Sequence, residues 1–323
     1  MAIYIVHGKN IEKYNVTFLM DGVPENSNTI KHLVLSGGGV TGISFYGVLR
    51  ESEKNGFWNI NNIESIYGTS VGSVIAIMIA LKYDWEILDD FIIKRPWSQV
   101  FQFNMYAIIE SFQKRGILDI QCIEKTFLPL FNGKDISKDI TMKEFYELTK
   151  INIHIYTTEL NAFELVDISH ETHPDWKVIE AVYCSCSLPV VFSPLIKEGK
   201  CYIDGGFMLN YPLIKCIDNG CKKEEIYGLS RRGFGNTPTE GATKLLSMVN
   251  ESSSLLDYIL IIMNKSIEKL LSIRAPVDIP YQLFIDSDHV TIYNIYTMST
   301  SREEREKHIQ FGVDSYLKWI ASN

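Results

Sequence analysis

Twice in close succession a short apolar run ends in glycine and gives way to a helical pattern, and this repeat constrains the fold more than any other feature of the chain. His32-Leu33-Val34-Leu35 runs into Gly37-Gly38-Gly39, after which Ile43 to Lys54 has helical periodicity closed by Asn55-Gly56. Ile63 to Tyr67 then runs into Gly68-Thr69-Ser70-Val71-Gly72, and Val71 to Lys82 is a strongly apolar helical stretch. Short apolar runs bounded by glycine read as buried strands. Strand, helix, strand, helix at this spacing requires parallel strands joined by right-handed crossovers. The expectation is an α/β fold, with a mainly parallel central sheet sandwiched between helices in three layers.

The remaining pattern extends that plan. Residues 1–30 read as an N-terminal extension with a polar turn at Asp21-Gly22-Val23-Pro24 and room for one hairpin. Residues 84–150 read as helical, with an aromatic stretch from Trp97 to Phe112. Ile151–Thr158 alternates and is β-branched, so it reads as a strand; Trp176–Tyr183 reads as a helix, and Lys200–Ile203 and Glu225–Leu229 as strands. Residues 240–273 read as one long or two short helices, Tyr281–Ile285 and Val290–Tyr296 as strands, and Ser301 as the N-cap of a final helix with Glu303 and Glu304 in its first turn. Because no repeat or linker divides the chain, residues 31–230 are expected to form the main unit and 231–323 to complete the same domain.

Composition narrows the function classes. A net charge of −8 gives no electrostatic basis for nucleic-acid binding. It also argues against wholesale attraction to anionic membranes, although a local basic patch stays compatible with it. The N-terminal residues carry no secretory pattern, and the longest apolar stretch, Val74 to Leu81, falls far short of the ~20 residues of a spanning helix. A soluble protein, cytoplasmic or peripheral to a membrane, is the expectation. The six cysteines are scattered beside apolar residues and read as buried free thiols in a reducing compartment. Cys184-Ser185-Cys186 has the wrong spacing for a zinc knuckle.

Three motifs carry chemistry. Gly68-Thr69-Ser70-Val71-Gly72 lies where a strand ends and an apolar helix begins, the position of a nucleophile elbow. The turn is so sharp that the residues two places either side of Ser70 must lack side chains. The helix N-terminus beside it favours developing negative charge. On the preceding junction, Gly37-Gly38-Gly39-Val40-Thr41-Gly42 lets backbone N–H groups converge without a Cβ in the way. Aimed at a tetrahedral intermediate, they form an oxyanion hole. The same six residues also satisfy the Gly-x-Gly-x-x-Gly dinucleotide fingerprint, which requires an acidic residue at the end of the next strand. Here that strand ends in Tyr67-Gly68-Thr69-Ser70, so a nucleophile stands where the ribose ligand belongs. The third motif, Asp204-Gly205-Gly206, follows the strand Cys201-Tyr202-Ile203 and reads either as an Asp-Gly hairpin turn or as a carboxylate able to approach a hydroxyl closely. An ordinary carboxyl, with a pKa of about 3.9, is a poor resting base for serine, yet it accepts the proton as the bond forms if water is kept out.

From about His32 to Tyr211 the ordered motifs resemble the patatin-like phospholipases, in which a glycine-rich oxyanion loop, a Gly-x-Ser-x-Gly elbow and an Asp-Gly-Gly motif occur in this order. The segment Ser185 to Pro194 and the turn Gly116-Ile117-Leu118-Asp119 share in the resemblance. It implies a lipid acyl hydrolase, of phospholipase A or non-specific lipolytic type, that works through a Ser–Asp dyad and an acyl-enzyme without metal or cofactor. Carried over by position, Ser70 is the nucleophile and Asp204 the base. Gly37, Gly38, Gly39 and Val40 form the oxyanion loop, and Gly42, Gly68, Gly72, Gly205 and Gly206 are the motif glycines. Phospholipid or another lipid ester is the implied substrate, met at a transient membrane contact. One departure is visible: Thr41 stands where the family often has Lys or Arg, so the oxyanion loop lacks a cation of its own.

Weaker signals remain beside these. His289 follows Ser70 and Asp204 in the chain order of an α/β-hydrolase triad, which offers a Ser-His-Asp esterase as the alternative mechanism. A non-catalytic nucleotide- or lipid-binding protein is the other alternative. The apolar band from Leu255 to Ile273 reads as core-facing or as a lipid-interface helix. Trp97, Phe101, Phe103, Tyr106 and Phe112 read as packing residues or as the lining of an acyl channel. Arg231-Arg232, placed in the loop after Leu229, reads as a solvated pair or a small phosphate site.

Overall fold

A computed structural model describes residues 2–7, 10–15, 29–102, 105–232, 249, 251, 253–271, 277–286 and 291–322. Strands β1 (Ala2–His7) and β2 (Asn10–Asn15) pair antiparallel as a two-stranded sheet of their own, the hairpin for which the N-terminal pattern left room.

The central sheet has eight strands: β3 (His32–Leu35), β4 (Ser65–Thr69), β6 (Asn152–Glu159), β7 (Glu164–Ile168), β9 (Leu195–Lys197), β10 (Lys200–Asp204), β11 (Ile226–Arg232) and β12 (Tyr281–Asp286). From β12 through β11, β3 and β4 to β6 every pairing is parallel, whereas β7, β10 and β9 join antiparallel. Two short strands that the sequence pattern does not announce, β5 (Gly116–Leu118) and β8 (Val190–Phe192), pair in parallel as a separate ribbon.

Alternating residues of the buried strands supply two apolar faces. Leu33, Leu35, Ile66, Ile153 and Ile155 enter the larger core, together with residues of α1 (Gly42–Lys54), α2 (Val71–Ala80) and α7 (Val178–Cys186). Val34, Tyr67 and Tyr156 point the other way, into a smaller core closed by Leu209 of α8 (Gly206–Leu209) and by Leu213 and Cys216 of α9 (Leu213–Asp218). Helices on both faces of a mostly parallel sheet make the expected three layers. The larger core also takes residues from α3 (Trp85–Lys94), α5 (Gln121–Asn132), α6 (Met142–Thr149), α10 (Leu255–Leu271) and α12 (Arg302–Ser322). Helix α4 (Met105–Lys114) takes in the second half of the aromatic stretch, and all six cysteines are free thiols, four of them buried.

Two elements depart from the sequence pattern. Val290–Tyr296, expected as a strand, belongs in its described part to helix α11 (Ile292–Thr300). Its β-branched and aromatic residues mislead because Thr291 acts as an N-cap, its hydroxyl accepting from the Asn294 N–H at 3.0 Å. The apolar residues Ile292 and Ile295 then pack one turn apart on the core. Gly116–Leu118 lies in a region expected to be helical and is instead a strand, since β8 supplies a ladder partner from far along the chain. Ser301 does cap the last helix, accepting from Glu304 N–H at 3.2 Å.

Helices α1 and α12 cross at glycine. A Cβ on Gly47 would lie 2.2 Å from the Ile309 carbonyl oxygen, and one on Gly312 would lie 2.1 Å from that of Ser44. Backbone, not a flexible side chain, occupies both places, so the helices must separate to admit a methyl group. Gly47→Ala and Gly312→Ala are each expected to cost about 1–3 kcal/mol, against the usual gain of Gly→Ala in a helix. Urea unfolding, read as a lower midpoint at constant slope, checks this.

Candidate active site

The site forms where two strands stop. Along β6, β4 pairs with Asn152 to Tyr156 and β10 with Thr157 to Glu159. Strand β7 pairs with Ile155 to Glu159 and so occupies the opposite edge. Strands β4 and β10 therefore share one edge of β6, running toward each other, with Thr69 opposite Tyr156 and Asp204 opposite Thr157. The residue leaving β4, Ser70, meets the last residue of β10.

Ser70 is held in an elbow. Its backbone has φ 52° and ψ −126°, a left-handed conformation that costs a non-glycine residue of order 1–3 kcal/mol. The turn brings Gly72 so near the end of β3 that a Cβ there would lie 2.3 Å from the Leu35 carbonyl oxygen. Gly68 is closed in the same way by the Gly72 carbonyl, and Gly42 by the Val71 side chain. Ser70 occupies the N-cap of α2 but does not cap it through its side chain, so the hydroxyl stays available.

Asp204 is buried, with 6% exposure. Its Oδ1 accepts from the Gly206 N–H at 2.7 Å. Burial lifts the carboxyl pKa from 3.8 to about 6, opposed by hydrogen bonds from the Ser70 side chain and the Gly206 N–H. The Asp-Gly-Gly motif is thus not a hairpin turn. Gly205 follows Asp204 closely against β6, where a Cβ would lie 2.1 Å from the Tyr156 carbonyl oxygen, and Gly206 opens α8.

Ser185 ties the nucleophile and the carboxylate together, a role that the sequence does not display. Its hydroxyl accepts from the Ser70 N–H at 2.8 Å and donates to the Tyr156 carbonyl at 2.6 Å. The carbonyls of Ser185 and Ser187 accept from the N–H groups of Gly205 and Asp204, at 3.3 and 3.0 Å. Ser185 is therefore a strut between the two strand ends, with Ser187 as a second tie to Asp204.

The glycine loop lies beside this pair. Gly37 N–H donates to the Asn210 carbonyl at 2.9 Å, and Asn210 Nδ2 donates back to the Gly37 carbonyl at 3.3 Å. Gly37 is accordingly an anchor, and its N–H is already committed to Asn210. Gly39 takes φ 56° in the single turn Gly39–Thr41, and the N–H groups of Gly38, Gly39 and Val40 meet no protein acceptor among the described residues. Donors of this kind are able to receive a developing oxyanion. Thr41 is buried, and its hydroxyl has no hydrogen-bond partner among the described residues.

Ser70, Asp204, Gly38, Gly39 and Val40 all line one cavity of about 570 Å³. The rest of the lining is mostly apolar, including Val74, Met78, Phe91, Trp97, Phe101, Phe127 and Leu188. Of the aromatic stretch, Trp97 and Phe101 reach this cavity whereas Phe112 is 83% exposed; Phe103 and the Tyr106 side chain lie outside the described residues. His289 also lies outside them, and among the described residues no histidine lines the cavity. Arg231 is not in a loop but continues β11, and it lines the cavity beside Gly38; the side chain of Arg232 lies outside the described residues.

Comparison with known proteins agrees with this geometry. The chain is 31% identical over 188 residues to the uncharacterized protein R571 of Acanthamoeba polyphaga mimivirus, covering 58% of this chain and 62% of that one. It is 28% identical over 199 residues to the probable lipid hydrolase 463L of Invertebrate iridescent virus 6, covering 60% and 66%. It is 28% identical over 195 residues to the lysophospholipase NTE1 of Kluyveromyces lactis, covering 59% of this chain but 12% of that larger protein. The match thus spans less than two thirds of each relative's length. In fold it is similar to VipD from Legionella pneumophila, with a TM-score of 0.55 at 17% identity over 91% of this chain and 67% of that one. The profile of the patatin-like phospholipases matches residues 33–217, which takes in every motif of the site, and the chain belongs to that family.

Proposed function

We propose that the protein is a lipid acyl hydrolase, of phospholipase A or lysophospholipase type, with Ser70 as nucleophile and Asp204 as general base. One observation carries this reading: a serine in an elbow, a buried carboxylate, and three backbone amides without a protein acceptor among the described residues all open into one mostly apolar cavity. Its volume of about 570 Å³ suits an acyl chain. The viral relative named as a probable lipid hydrolase and the fungal lysophospholipase support the substrate class.

In acylation, Ser70 Oγ attacks the ester carbonyl carbon while its proton passes to Asp204. The amides of Gly38, Gly39 and Val40 receive the oxyanion. Collapse of the tetrahedral intermediate breaks the ester C–O bond, and Asp204 returns the proton to the leaving alcohol. Water then attacks the acyl-enzyme, giving its proton to Asp204; collapse breaks the bond between the acyl carbon and Ser70 Oγ, the proton passes from Asp204 to that oxygen, and the fatty acid is released. A pKa of about 6 keeps Asp204 ionised near neutrality, and makes it a stronger base than an ordinary carboxylate.

Membrane contact fits the same helices. Leu255, Tyr258 and Ile262 form an exposed stripe on α10, at 65%, 47% and 46% exposure, and Tyr293 and Tyr296 are exposed on α11. Other residues of these helices, Ile267 and Ile295, line the cavity. An apolar stripe on a cavity wall suits a surface from which lipid is drawn. No described helix is long and apolar enough to cross a membrane.

Ser70→Ala is expected to abolish labelling by a fluorophosphonate and to lower ester turnover on the order of 10⁴-fold or more. Asp204→Ala should do likewise to turnover while His289→Ala retains it; the reverse pattern would overturn Asp204 as the base, and loss in both would indicate a triad. The acid limb of kcat/KM should fall tenfold per pH unit below about 6, the pKa of Asp204. The same shift has a stability counterpart. A raised carboxyl pKa stabilises the fold only below the unfolded value and is lost as pH rises through the folded one. Above pH 6 the ionised carboxylate costs about 3 kcal/mol. Asp204→Asn should therefore melt higher than the native protein at pH 8, with the gap closing toward pH 4. Leu255→Asp/Ile262→Asp is expected to weaken vesicle partition at least about tenfold in sedimentation.

A further inference from the structure

We infer that Arg231 is the anion-binding residue of the site, placed to take the phosphate of a phospholipid or lysophospholipid whose ester carbonyl lies in the glycine loop. The inference rests on the hydrolase reading above for its substrate, but on separate residues for its geometry.

Three charged residues line the cavity among those described: Asp204, Arg305 and Arg231. Asp204 is the base. Arg305 is 5% exposed, and its guanidinium donates to the carbonyls of Met298 and Ile93 at 2.7 and 2.8 Å, which ties together the ends of α11 and α3. That arginine is engaged in holding helices. Arg231 is partly exposed and lines the cavity next to Gly38 of the glycine loop.

Register puts it there. Strand β11 runs parallel to β3, and the last ladder pair is Leu229 with Leu35. Beyond that pair β3 bends into the glycine loop while β11 continues straight. Ser36 bridges them: its N–H donates to the Leu229 carbonyl at 3.0 Å, and its Oγ accepts from the Arg231 N–H at 3.0 Å. The arginine stem consequently lies over the loop, with Cδ 3.3 Å from where a Cβ of Gly38 would be. The Thr41 Cβ is at the same distance from that point, so the short buried side chain at 41 and the arginine stem share the space around Gly38. The cation that position 41 does not supply arrives from the neighbouring strand. A guanidinium there pairs with a phosphate in two-pronged fashion, and in an otherwise apolar cavity such charge-assisted bonds are strong.

The test separates phosphate recognition from catalysis by measuring binding to Ser70→Ala protein. The probes are a short-chain ether lysophospholipid below its micelle concentration and the alkylglycerol of the same chain, which lacks the phosphate. The ratio of the two affinities is expected to fall about 10- to 100-fold when Arg231→Gln is added. Arg231→Lys should recover a large part of it. An unchanged ratio in Arg231→Gln overturns the inference, whether both affinities drop together, as for a strut of the loop, or neither moves. Retained phosphate preference without turnover by the native protein would sink the hydrolase reading instead.

Discussion

The site depends on the head-on meeting of two strands along one edge of β6. Because β4 runs with β6 and β10 against it, their C-terminal ends arrive at consecutive positions, opposite Tyr156 and Thr157. Strand ends are where a sheet must leave side chains unpaired, and here one end presents a hydroxyl and the other a carboxylate. The contact is then locked by hydrogen bonds from a third segment. Ser185 accepts from Ser70 and donates to Tyr156, so the elbow cannot shift without breaking a bond to β6 itself. Precision at the reacting atoms follows from register in the sheet, not from the flexible loops around it.

This arrangement holds three unfavourable features together. Ser70 keeps a left-handed backbone, Asp204 is a carboxylate out of water, and three amides of the glycine loop lack protein acceptors among the described residues. Each costs stability on its own. They persist because the strands beneath are buried on both faces: β3 and β4 are buried along their whole lengths. In the proposed reaction each of the three would have a use: the elbow would present the hydroxyl, burial would raise the basicity of the carboxylate, and the glycine-loop amides would receive an oxyanion at no cost of reorganisation.

The cavity completes the device by joining distant parts of the chain. Its walls come from α2, α3 and α5, but also from α10 and α11 near the C-terminus. The late helices supply cavity-lining residues and, on α10, an exposed apolar stripe, and β11 brings a cation. Arg305, buried without a carboxylate partner among the described residues, secures that wall by holding the ends of two helices.

Much of this was legible in the residues. Apolar runs ending in glycine specified the parallel strands, and the elbow glycines at 68 and 72 specified the turn at Ser70, because such features depend on local backbone geometry. The same local rules misread Val290–Tyr296, whose β-branched residues outweighed the cap at Thr291, and they passed over Gly116–Leu118, which is a strand only because Val190–Phe192 lies alongside. The commitment of Gly37 to Asn210, the strut at Ser185 and the approach of Arg231 to Gly38 had no signature, since each joins segments far apart in sequence. The sequence alone determined which groups are candidates for the chemistry and what turns they sit on. Only the tertiary structure decided which of them meet, because register across a sheet edge and packing across a cavity are properties of the whole chain.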